Sequence, residues 1–395
     1  MRKLRFATAI LDFSRKKGGA ETYLVDFCTR MASQDFEVHV YAENWDEENR
    51  EIHFHQVRTI PFPKSLRLLS FAVRATHAIL KGDYDVTLGV GNTLRADILQ
   101  PHGGVHWAWF WRSLRAYDHP LVWVIKFLGR VLSPKQWIQG YIESAPYKKN
   151  DFKKIIAISD MVKQDVVRWY GVPEDRIIVV YNGVDTERFH PRNRQCRDEI
   201  RRKHGIGDEF VLLFVSNNFR MKGLGHLITA LADLKKEKCP PFKCLILGRD
   251  KKDPYVRLAR RLEISGEVIF AGSTDEPEKY YGAADLLVHP TFYDACSLTV
   301  LEALASGLPV ITTASNGASG VLTQGEEGWV IEKVTAKNEV KIAIQHFLNG
   351  ENRKKASHRS REKAENYSEK LNFDRMIGIF KEAMTHSDQS LPGDL

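Results

Sequence analysis

One segment constrains the fold more than any other: residues 285–313, which read DLLVHPTFYDACSLTVLEALASGLPVITT. It opens with a short apolar run typical of a buried parallel strand, followed by a polar, turn-prone stretch at 290–296. The spacing of Leu and Ala then predicts a helix over 297–306, with Gly307 at the C-cap position and Pro309 preventing its continuation. A second β-rich run completes a strand–helix–strand unit. In such a unit the loop after the strand and the first helical turn face the ligand crevice of a parallel sheet.

Two carboxylates flank the transition from loop to helix in this unit, Asp294 and Glu302. The start of the helix supplies backbone N–H groups and a partial positive charge. This combination suits an anionic phosphate beside a polyhydroxylated group whose hydroxyls donate to the carboxylates. The segment therefore predicts a site for a phosphorylated, hydroxyl-rich ligand.

The rest of the chain repeats the alternation of strands and helices on both sides of a turn-rich segment that contains Asn182-Gly183. At 395 residues, two domains are the natural expectation. We predict an N-terminal Rossmann-like domain over 1–185, a second over 186–368, and a C-terminal helix and polar tail over 369–395. Two α/β halves joined by a hinge imply a cleft between the carboxyl ends of their strands, with one ligand for each half.

The charge balance narrows the class of partner. A formal net charge of +8 and a pI near 9.1 imply an anionic partner, such as nucleotide phosphates, anionic lipid or nucleic acid. The five cysteines show neither paired nor metal-ligand spacing, and their odd number favours a reducing compartment. We read the basic and then apolar N-terminus as a first strand, and no run approaches the length of a membrane-spanning helix. We therefore expect a cytoplasmic protein, with peripheral attachment to the inner face of the cell membrane as a further expectation.

Two glycine-containing loops of the first half stand at the ends of predicted strands. Gly18 and Gly19 directly precede a predicted helix, where glycine lets the backbone approach a ligand, although a plain tight turn is an equal alternative. The loop lacks the GxGxxG pattern, so it indicates a dinucleotide site only weakly. In PHGGVHW, His102 and His106 follow another strand beside two glycines. Two histidines beside two glycines at the end of a strand indicate a binding or catalytic site more strongly than a lone histidine in a turn would.

Residues 107–154 are rich in tryptophan and in basic side chains. Five of the eight tryptophans lie here: Trp107, Trp109, Trp111, Trp123 and Trp137. The basic residues interleaved with them are Arg112, Arg115, Lys126, Arg130, Lys135, Lys148, Lys149, Lys153 and Lys154. One interpretation is a contact with an anionic membrane surface. The other is that the aromatic residues belong to the core or to an acceptor cleft and the lysines to a solvated face, and the sequence favours neither.

The first strand of the second half ends in SNNFRMKG. This places Arg220, Lys222 and Gly223 immediately before a predicted helix. Both cations can face the crevice, so the loop is a candidate clamp for a diphosphate. Cations on a surface before a helix are also common without any ligand.

Several segments together resemble the retaining, GT-B-fold glycosyltransferases of family 4. In chain order they are the pair Gly18-Gly19, the run IIAISDMVKQDVVRWYGVPEDRIIVVYNGVDTERFHP, MKG, LILGRD, FAGST and the paired-acid stretch ending in LEALASGLPVI. These matches span most of the chain and are most similar to the lipopolysaccharide-core glucosyltransferases. The resemblance implies GT-B architecture, with two Rossmann-like α/β domains facing each other across a cleft. It also implies transfer of a hexose from a nucleotide sugar, with UDP as the expected nucleotide, with retention of configuration and with no cofactor or required metal. The implied acceptor is a saccharide or glycolipid of the lipopolysaccharide core or another cell-envelope glycan.

The resemblance also implies roles for particular residues on the diphosphate side. Lys222 would hold the donor diphosphate, and Gly18 and Gly19 would approach it from the first lobe. The final segment, 372–384, would cross back onto that lobe.

Further roles concern the sugar and the ribose. By resemblance, Glu302 would accept hydrogen bonds from the ribose hydroxyls and Asp294 would contact the transferred sugar. The backbone of Ser297 and Leu298 would stabilise phosphate at the helix start. His102 falls near the position where the family places a polar residue close to the anomeric carbon.

The sequence departs from the family pattern at two of these positions. The first acid is usually Glu, and Asp294 is shorter by a methylene, so we expect its reach to a sugar hydroxyl, and hence the donor choice, to differ from those of the family. The usual clamp arginine lies five residues before the lysine, where this chain has Asn217. Arg220 is the candidate to supply the missing charge and is predicted as a catalytic residue with Lys222, Asp294 and His102.

Two other classes of function compete with a transferase. A nucleotide-sugar epimerase of the same two-lobed fold could use a similar phosphate clamp, and it would act without any acceptor. A basic nucleic-acid-binding protein would explain the charge, but the aromatic residues do not form an RNA-reading motif and the basic segments are scattered. We therefore predict no nucleic-acid partner.

Overall fold

The computed structural model of the protein describes residues 2–34, 36–46, 49–237 and 239–385. Contacts divide the chain into two compact units: one runs to Val180 and resumes at Phe373, and the other is Tyr181–Asn372. The domain boundaries predicted at 185 and 368 stay predictions. The predicted polar tail, residues 386–395, lies outside the described residues.

A seven-stranded parallel sheet forms the centre of the first unit. Its strands are β1 (Leu4–Phe13), β2 (Phe36–Trp45), β3 (Ile52–Gln56), β4 (Val86–Gly89), β5 (Ile98–Leu99), β6 (Lys154–Ala157) and β7 (Ile177–Val179). They lie in the order β3-β2-β1-β4-β5-β6-β7. The chain therefore starts in the middle of the sheet and changes its direction of growth between β1 and β4, which makes a topological switch point there.

Helices connect the strands of the first sheet. They are α1 (Gly19–Ala32), α2 (Lys64–Lys81), α3 (His106–Leu114), α4 (Pro120–Val131), α5 (Pro134–Lys149) and α6 (Asp160–Tyr170). Helix α6 shows how local sequence sets the boundaries: the Ser159 hydroxyl accepts the N–H of Val162, and Gly171 ends the helix at φ +67°. A short 3₁₀ turn, Glu174–Arg176, leads into β7.

The second unit repeats the design with a six-stranded parallel sheet. Its strands are β8 (Phe210–Val215), β9 (Phe242–Leu247), β10 (Val268–Gly272), β11 (Leu286–His289), β12 (Val310–Thr313) and β13 (Gly328–Ile331). They lie in the order β10-β9-β8-β11-β12-β13, so the switch point falls between β8 and β11. All four residues of β11 are buried, as the apolar run predicts for a central parallel strand.

Seven helices lie wholly within the described part of the second unit. They are α7 (Arg197–Lys203), α8 (Leu224–Lys236), α9 (Asp253–Arg261), α10 (Pro277–Ala283), α11 (Leu298–Ala305), α12 (Lys337–Leu348) and α13 (Gly350–Glu365), with 3₁₀ turns at Pro191–Cys196 and Gly317–Val321. Gly307, predicted at the helix C-cap, adopts φ +67° one residue after the cap residue Ser306. The left-handed conformation there explains the glycine.

The last helix, α14 (Glu369–Thr385), supplies apolar side chains to the core of the first unit. Phe380 stacks on Phe6 of β1 with ring centroids 5.7 Å apart, and Phe373 lies 5.5 Å from Phe27 of α1. The end of the chain is therefore part of the hydrophobic core that begins with the first strand.

The predicted alternation of strands and helices around parallel sheets is confirmed. Two details differ from the expectations. The strand expected before His102 consists of only two residues, Ile98–Leu99, and the tryptophan-rich segment 107–154, for which no elements were predicted, forms most of three helices, α3 to α5.

Candidate active site

The loops after β8 and β11 meet at the switch point of the second unit. The N–H of Phe292 donates to the carbonyl of Met221 at 2.9 Å, which ties the two loops together. Gly223 makes the close approach possible: it adopts φ +72°, and a Cβ there would lie 2.2 Å from the carbonyl oxygen of Pro290. The loops that sequence analysis singled out separately therefore build one crevice at the carboxyl ends of two adjacent strands.

Lys222 and Asp294 form an ion pair in this crevice. Lys222 Nζ lies 2.5 Å from Asp294 Oδ2 and 3.2 Å from the carbonyl oxygen of Tyr293. The two side chains are 17% and 21% exposed, so the pair is shielded but reachable from solvent. An ammonium has three N–H donors, and two of them have acceptors here among the described residues. One donor of Lys222 is left for a ligand.

A buried histidine, His289, lies beside this ion pair, and the sequence analysis did not single it out. His289 Nε2 lies 3.6 Å from Asp294 Oδ2, and the residue is 1% exposed. Burial alone would raise the pKa of Asp294, but the charge of Lys222 and the His289 ring outweigh burial, so that the pKa lies well below its usual range. Asp294 is therefore ionised at neutral pH. Burial lowers the pKa of His289.

The start of α11 is fixed by a second residue that sequence reasoning missed. Asn316 is fully buried, and its Oδ1 accepts the N–H groups of Ser297 at 3.3 Å and Ala318 at 3.1 Å. The Ser297 hydroxyl lies 2.7 Å from Thr299 Oγ1 and 3.4 Å from His289 Nε2. The predicted residues Ser297 and Leu298 thus stand at the N-cap and first position of α11, beside the Lys222–Asp294 pair.

Glu302 has a different environment from Asp294, although both belong to the same loop-to-helix unit. The Tyr281 hydroxyl donates to Glu302 Oε2 at 2.6 Å. Burial raises the pKa of Glu302, with the Tyr281 hydrogen bond and the more distant Arg188 charge acting in the opposite direction. The pKa shifts of the two acids therefore have opposite signs. The surroundings of Asp294 stabilise its ionised form, whereas those of Glu302 favour its protonated form.

Arg220 lies on the same loop as Lys222 but is exposed. Its charge acts on Tyr255: burial raises the pKa of this tyrosine, and the charge of Arg220 acts in the opposite direction. The position of the missing clamp arginine, Asn217, accepts the backbone N–H of Arg249 through its Oδ1 at 3.1 Å. The contacts place Lys222, Asp294 and the start of α11 together, and whether Arg220 joins them stays a prediction.

The first unit has its own crevice at its switch point. Gly18 is the extended N-cap of α1, without a side-chain cap, and a Cβ on it would lie 2.8 Å from Glu21 Oε2. His102, 8% exposed, stacks on Tyr23 with ring centroids 4.4 Å apart. Burial lowers the pKa of His102 to about 4, so the imidazole is neutral at neutral pH. The parts of Gly18, Gly19 and His102 in donor binding stay predictions.

Next to these residues is a cavity of about 480 Å³ formed by the first turn of α1, the loops after β4 and β5, and helices α3 and α5. Three buried polar atoms on its lining residues have no hydrogen-bond partner among the residues that the structure describes: Thr93 Oγ1, His106 Nε2 and Gln136 Oε1. Buried polar atoms are normally paired, so this arrangement indicates a polar ligand. His106 was singled out from the sequence, whereas no local signal marked Thr93 or Gln136.

The same cavity contains a carboxyl group with an unusual pKa. Glu143 Oε1 accepts the N–H of His106 at 2.8 Å and the hydroxyl of Tyr170 at 2.6 Å. Burial raises the pKa of Glu143 to about 7, with both hydrogen bonds acting in the opposite direction. At neutral pH this carboxyl can therefore either donate or accept a proton in a hydrogen bond.

The tryptophan-rich segment divides into internal and exposed parts. Arg112 forms an ion pair with Asp165 through two hydrogen bonds, and Arg130 lies 4.9 Å from the Trp109 ring centroid. These two arginines therefore contribute to contacts within the first unit. By contrast, α4 has no buried residue. Large apolar side chains are exposed on and beside it: Trp111, Leu121, Val122, Val124, Ile125, Leu128, Leu132 and Trp137. None of the helices in the described parts of the chain combines enough length with enough hydropathy to span a bilayer.

Two family profiles match the chain, and between them they cover most of it. "Glycosyltransferase Family 4" matches residues 17–188 and "Glycosyl transferases group 1" matches residues 196–367. The chain belongs to family 4 of the GT-B glycosyltransferases. This glycosyltransferase is 27% identical over 224 residues to the lipopolysaccharide glucosyltransferase WaaG of Escherichia coli (strain K12), which is 56% of this chain and 60% of WaaG. It is 23% identical over 351 residues to a D-inositol 3-phosphate glycosyltransferase of Corynebacterium aurimucosum, with 81% and 80% of the chains covered.

Solved structures share the fold of this family 4 glycosyltransferase. A crystal structure of WaaG, a glycosyltransferase involved in lipopolysaccharide biosynthesis, matches with a TM-score of 0.76 at 20% identity and covers 95% of this chain and 99% of that one. Anabaena HepE in complex with UDP-glucose matches with a TM-score of 0.68 at 16% identity, covering 96% and 100%. The predicted α/β, GT-B fold and the resemblance to family 4 are thereby confirmed.

Proposed function

We propose that this glycosyltransferase moves a hexose from a UDP-sugar to a saccharide acceptor of the cell envelope, with retention of configuration and without a required metal. The observation that carries the proposal is the Lys222–Asp294 pair at the second switch point, beside the start of α11. Breaking the bond between sugar and phosphate builds negative charge on the departing diphosphate. A cation and a helix N-terminus at that place can stabilise it.

In this proposal each side chain of the second crevice has one task. The remaining N–H of Lys222 binds a diphosphate oxygen, and the backbone of Ser297 and Leu298 contributes the positive end of α11. Asp294, kept ionised by Lys222, accepts hydrogen bonds from hydroxyls of the transferred sugar. Glu302 accepts them from the ribose, sharing its carboxylate with the Tyr281 hydroxyl.

The transfer step needs no protein nucleophile. The bond between the anomeric carbon and the phosphate oxygen breaks while the acceptor oxygen bonds to the same carbon from the same face. The acceptor proton passes to the departing phosphate. The protein's contribution is to position both substrates and to stabilise the charge on the diphosphate.

The comparisons support the choice of donor and acceptor class. HepE was solved with UDP-glucose, which supports a UDP-hexose donor. WaaG is a lipopolysaccharide glucosyltransferase, which supports a lipopolysaccharide acceptor, whereas the D-inositol 3-phosphate glycosyltransferase indicates that acceptors vary among relatives. WaaG is matched over only 60% of its length, so its acceptor is carried over as a proposal.

We place the acceptor in the cavity of the first unit. Saccharide hydroxyls both donate and accept hydrogen bonds, and the unpartnered atoms of Thr93, His106 and Gln136 offer both kinds of partner. Glu143 adds a carboxyl that is partly protonated at neutral pH. The cavity also has one acidic and one basic side chain at its edge, Glu21 and Lys135, so its buried hydrogen-bonding groups suit an uncharged sugar better than a phosphate.

The exposed apolar surface around α4 supports a glycolipid acceptor at a membrane surface. Its apolar side chains adjoin exposed cations, Arg115, Lys126 and Lys135, a mixture that suits the interface of an anionic bilayer. Co-sedimentation with liposomes tests this. We expect binding to vesicles with anionic lipid and weaker binding of Leu128→Asp, and equal binding to neutral and anionic vesicles would contradict it.

A product assay tests the transferase proposal. The purified protein is incubated with UDP-glucose, UDP-galactose or GDP-mannose and lipopolysaccharide truncated before the outer hexoses, with and without EDTA. We expect UDP release that depends on the acceptor, an α-linked product by NMR, and no effect of EDTA. Conversion of the nucleotide sugar without acceptor would favour the epimerase, and an inverted product would contradict retention.

A second assay separates the acceptor pocket from the donor site. Gln136→Ala should raise the acceptor KM at least about fivefold, since a hydrogen bond is worth about 1 kcal/mol, and leave the donor KM unchanged. Gln56→Ala on the exposed end of β3 is the matched control. Equal acceptor KM values for Gln136→Ala and the control would remove the pocket from acceptor binding.

A further inference from the structure

Carboxylate and imidazole groups gather on one face of the first sheet at its β3 edge. Glu37, His39 and Tyr41 alternate along β2, so they share a face. Strand β3 runs parallel to it, with His53 opposite His39 and His55 opposite Tyr41. The register therefore places three imidazoles and one carboxylate side by side on two neighbouring strands.

The polar atoms of this group are close together. His39 Nε2 lies 2.8 Å from Glu37 Oε1, and His39 Nδ1 lies 2.8 Å from His55 Nε2. The rings of His39 and His53 stack with centroids 4.8 Å apart. One ligand atom each of Glu37, His39 and His53 lies within 4.8 Å of the others, and no other such group of three occurs within residues 2–34, 36–46, 49–237 and 239–385.

We propose that Glu37, His39 and His53 bind a divalent transition metal ion such as Zn²⁺. Two imidazoles and one carboxylate are a common ligand set for such ions, and the fourth position would be taken by water. In the metal-free protein a hydrogen bond between Glu37 Oε1 and His39 Nε2 occupies the place of the ion, so metal binding requires the ring proton of His39 to move from Nε2 to Nδ1.

Two neighbours are arranged to hold the ligands in position. His55 can accept the Nδ1–H of His39, which leaves Nε2 of that ring free to bind the ion, as is usual for a metal-bound histidine. Arg5 Nε lies 3.4 Å from Glu37 Oε1 and restricts the position of the carboxylate. The cluster therefore has both ligands and residues that position them.

The ion would join the edge strand to the rest of the sheet. Glu37 and His39 belong to β2 and His53 to β3, which is the last strand on that side. His39 is 6% exposed while His53 is exposed, so an ion can enter from solvent and bind against a rigid strand. Since binding to the native state stabilises it, the metal should raise the unfolding temperature. This site has no assigned part in the transfer reaction.

Titration of the metal-stripped, tag-free protein with Co²⁺ and Zn²⁺ tests the proposal. We expect saturation at one equivalent, a visible Co²⁺ absorption spectrum without a thiolate charge-transfer band, and a rise in unfolding temperature with Zn²⁺. The absence of the thiolate band distinguishes the cluster from the five cysteines. Failure of the transferase assay would leave these readouts unaffected.

Matched variants decide whether the cluster carries the binding. His53→Ala changes an exposed residue and should weaken both metals at least about tenfold without lowering the unfolding temperature of the metal-free protein. His55→Ala should also weaken binding, and His77→Ala, an exposed histidine of α2, should not. Unchanged binding in His53→Ala, or no saturable binding in the wild type, would overturn the proposal.

Discussion

The two units have crevices at equivalent topological positions, but the buried titratable groups of these crevices differ in their electrostatic character. In the second unit the loops after β8 and β11 hold the ion pair of Lys222 and Asp294, and the pKa of Asp294 lies well below its usual range. In the first unit the corresponding loops surround groups that burial keeps neutral or nearly so: the pKa of His102 is lowered to about 4 and that of Glu143 is raised to about 7.

This difference separates the role of the strand order, which sets the position of a crevice, from the role of the side chains, which sets its ligand. The strand order places a crevice at each switch point, whatever its side chains are. The side chains then decide the ligand: a fixed charge pair suits a diphosphate, and neutral hydrogen-bonding groups suit saccharide hydroxyls. The assignment of donor to the second unit and acceptor to the first follows from this contrast.

The largest expected effect on stability is from Asp294→Asn. The substitution leaves the shielded Lys222 without its carboxylate, so the free energy of unfolding at pH 7 should fall by about 2–3 kcal/mol, somewhat less than for a fully buried pair. Asp233→Asn, which alters an exposed ion pair, should change it by less than about 0.5 kcal/mol. Urea unfolding measures both, and equal values would show that the pair in the crevice is no stronger than a surface contact.

Lys222→Ala should lower turnover at least about tenfold, because the departing diphosphate loses a charge that stabilises it. The acceptor KM should stay unchanged, since the acceptor is assigned to the other crevice. Lys236→Ala, an exposed lysine of α8, is the matched control. Normal turnover in folded Lys222→Ala protein would remove this lysine from the clamp.

Above neutral pH, Glu143→Gln should stabilise the protein, an effect opposite in sign to that of Asp294→Asn. A glutamate whose folded pKa is raised to about 7 contributes stability that is complete below the ordinary pKa and is lost as the pH rises through 7. The variant should therefore match the wild type at pH 5 and exceed it by about 1–2 kcal/mol at pH 8.

Asp294→Asn supplies the control for that pH dependence. Because the folded pKa of Asp294 is lowered, its contribution is complete above the ordinary pKa of aspartate and lost only as the pH falls below it. Its effect should be constant between pH 5 and 8. Parallel pH trends for the two variants would contradict the contrast between the crevices.

The smallest effect is expected from Glu302→Ala, which removes an acceptor for the ribose hydroxyls. The donor KM should rise about fivefold, as loss of about one hydrogen bond would give, with little change in acceptor KM. Glu351→Ala on the surface of α13 is the control. A donor KM equal to that of the control would leave Glu302 with only its contact to Tyr281.

Much of the fold could be predicted from sequence, because apolar runs and glycine or proline punctuation are local signals. Lys222, Asp294 and the start of α11 were recognisable for the same reason: each stands where a predicted strand passes into a helix. His289 was read only as the end of a buried strand, although that end faces the crevice. Asn316 follows β12 in a segment without a periodic pattern.

The first crevice was harder to predict because its residues are far apart in the chain. Thr93 and Glu143 come together only through the packing of α5 against the loops after β4 and β5. The exposure of α4 was also undetermined, since an apolar helix reads alike whether it is buried or faces a membrane. The choice between core and surface needed the tertiary structure.

Calorimetric titration with UDP-glucose tests the central claim, that Lys222 of the charged crevice holds the donor diphosphate. Wild-type protein and Lys236→Ala should bind it equally, and Lys222→Ala should bind at least about tenfold more weakly, while binding of uridine, which has no phosphate, should be the same for all three. Equal UDP-glucose affinity in Lys222→Ala and the wild type would contradict the account.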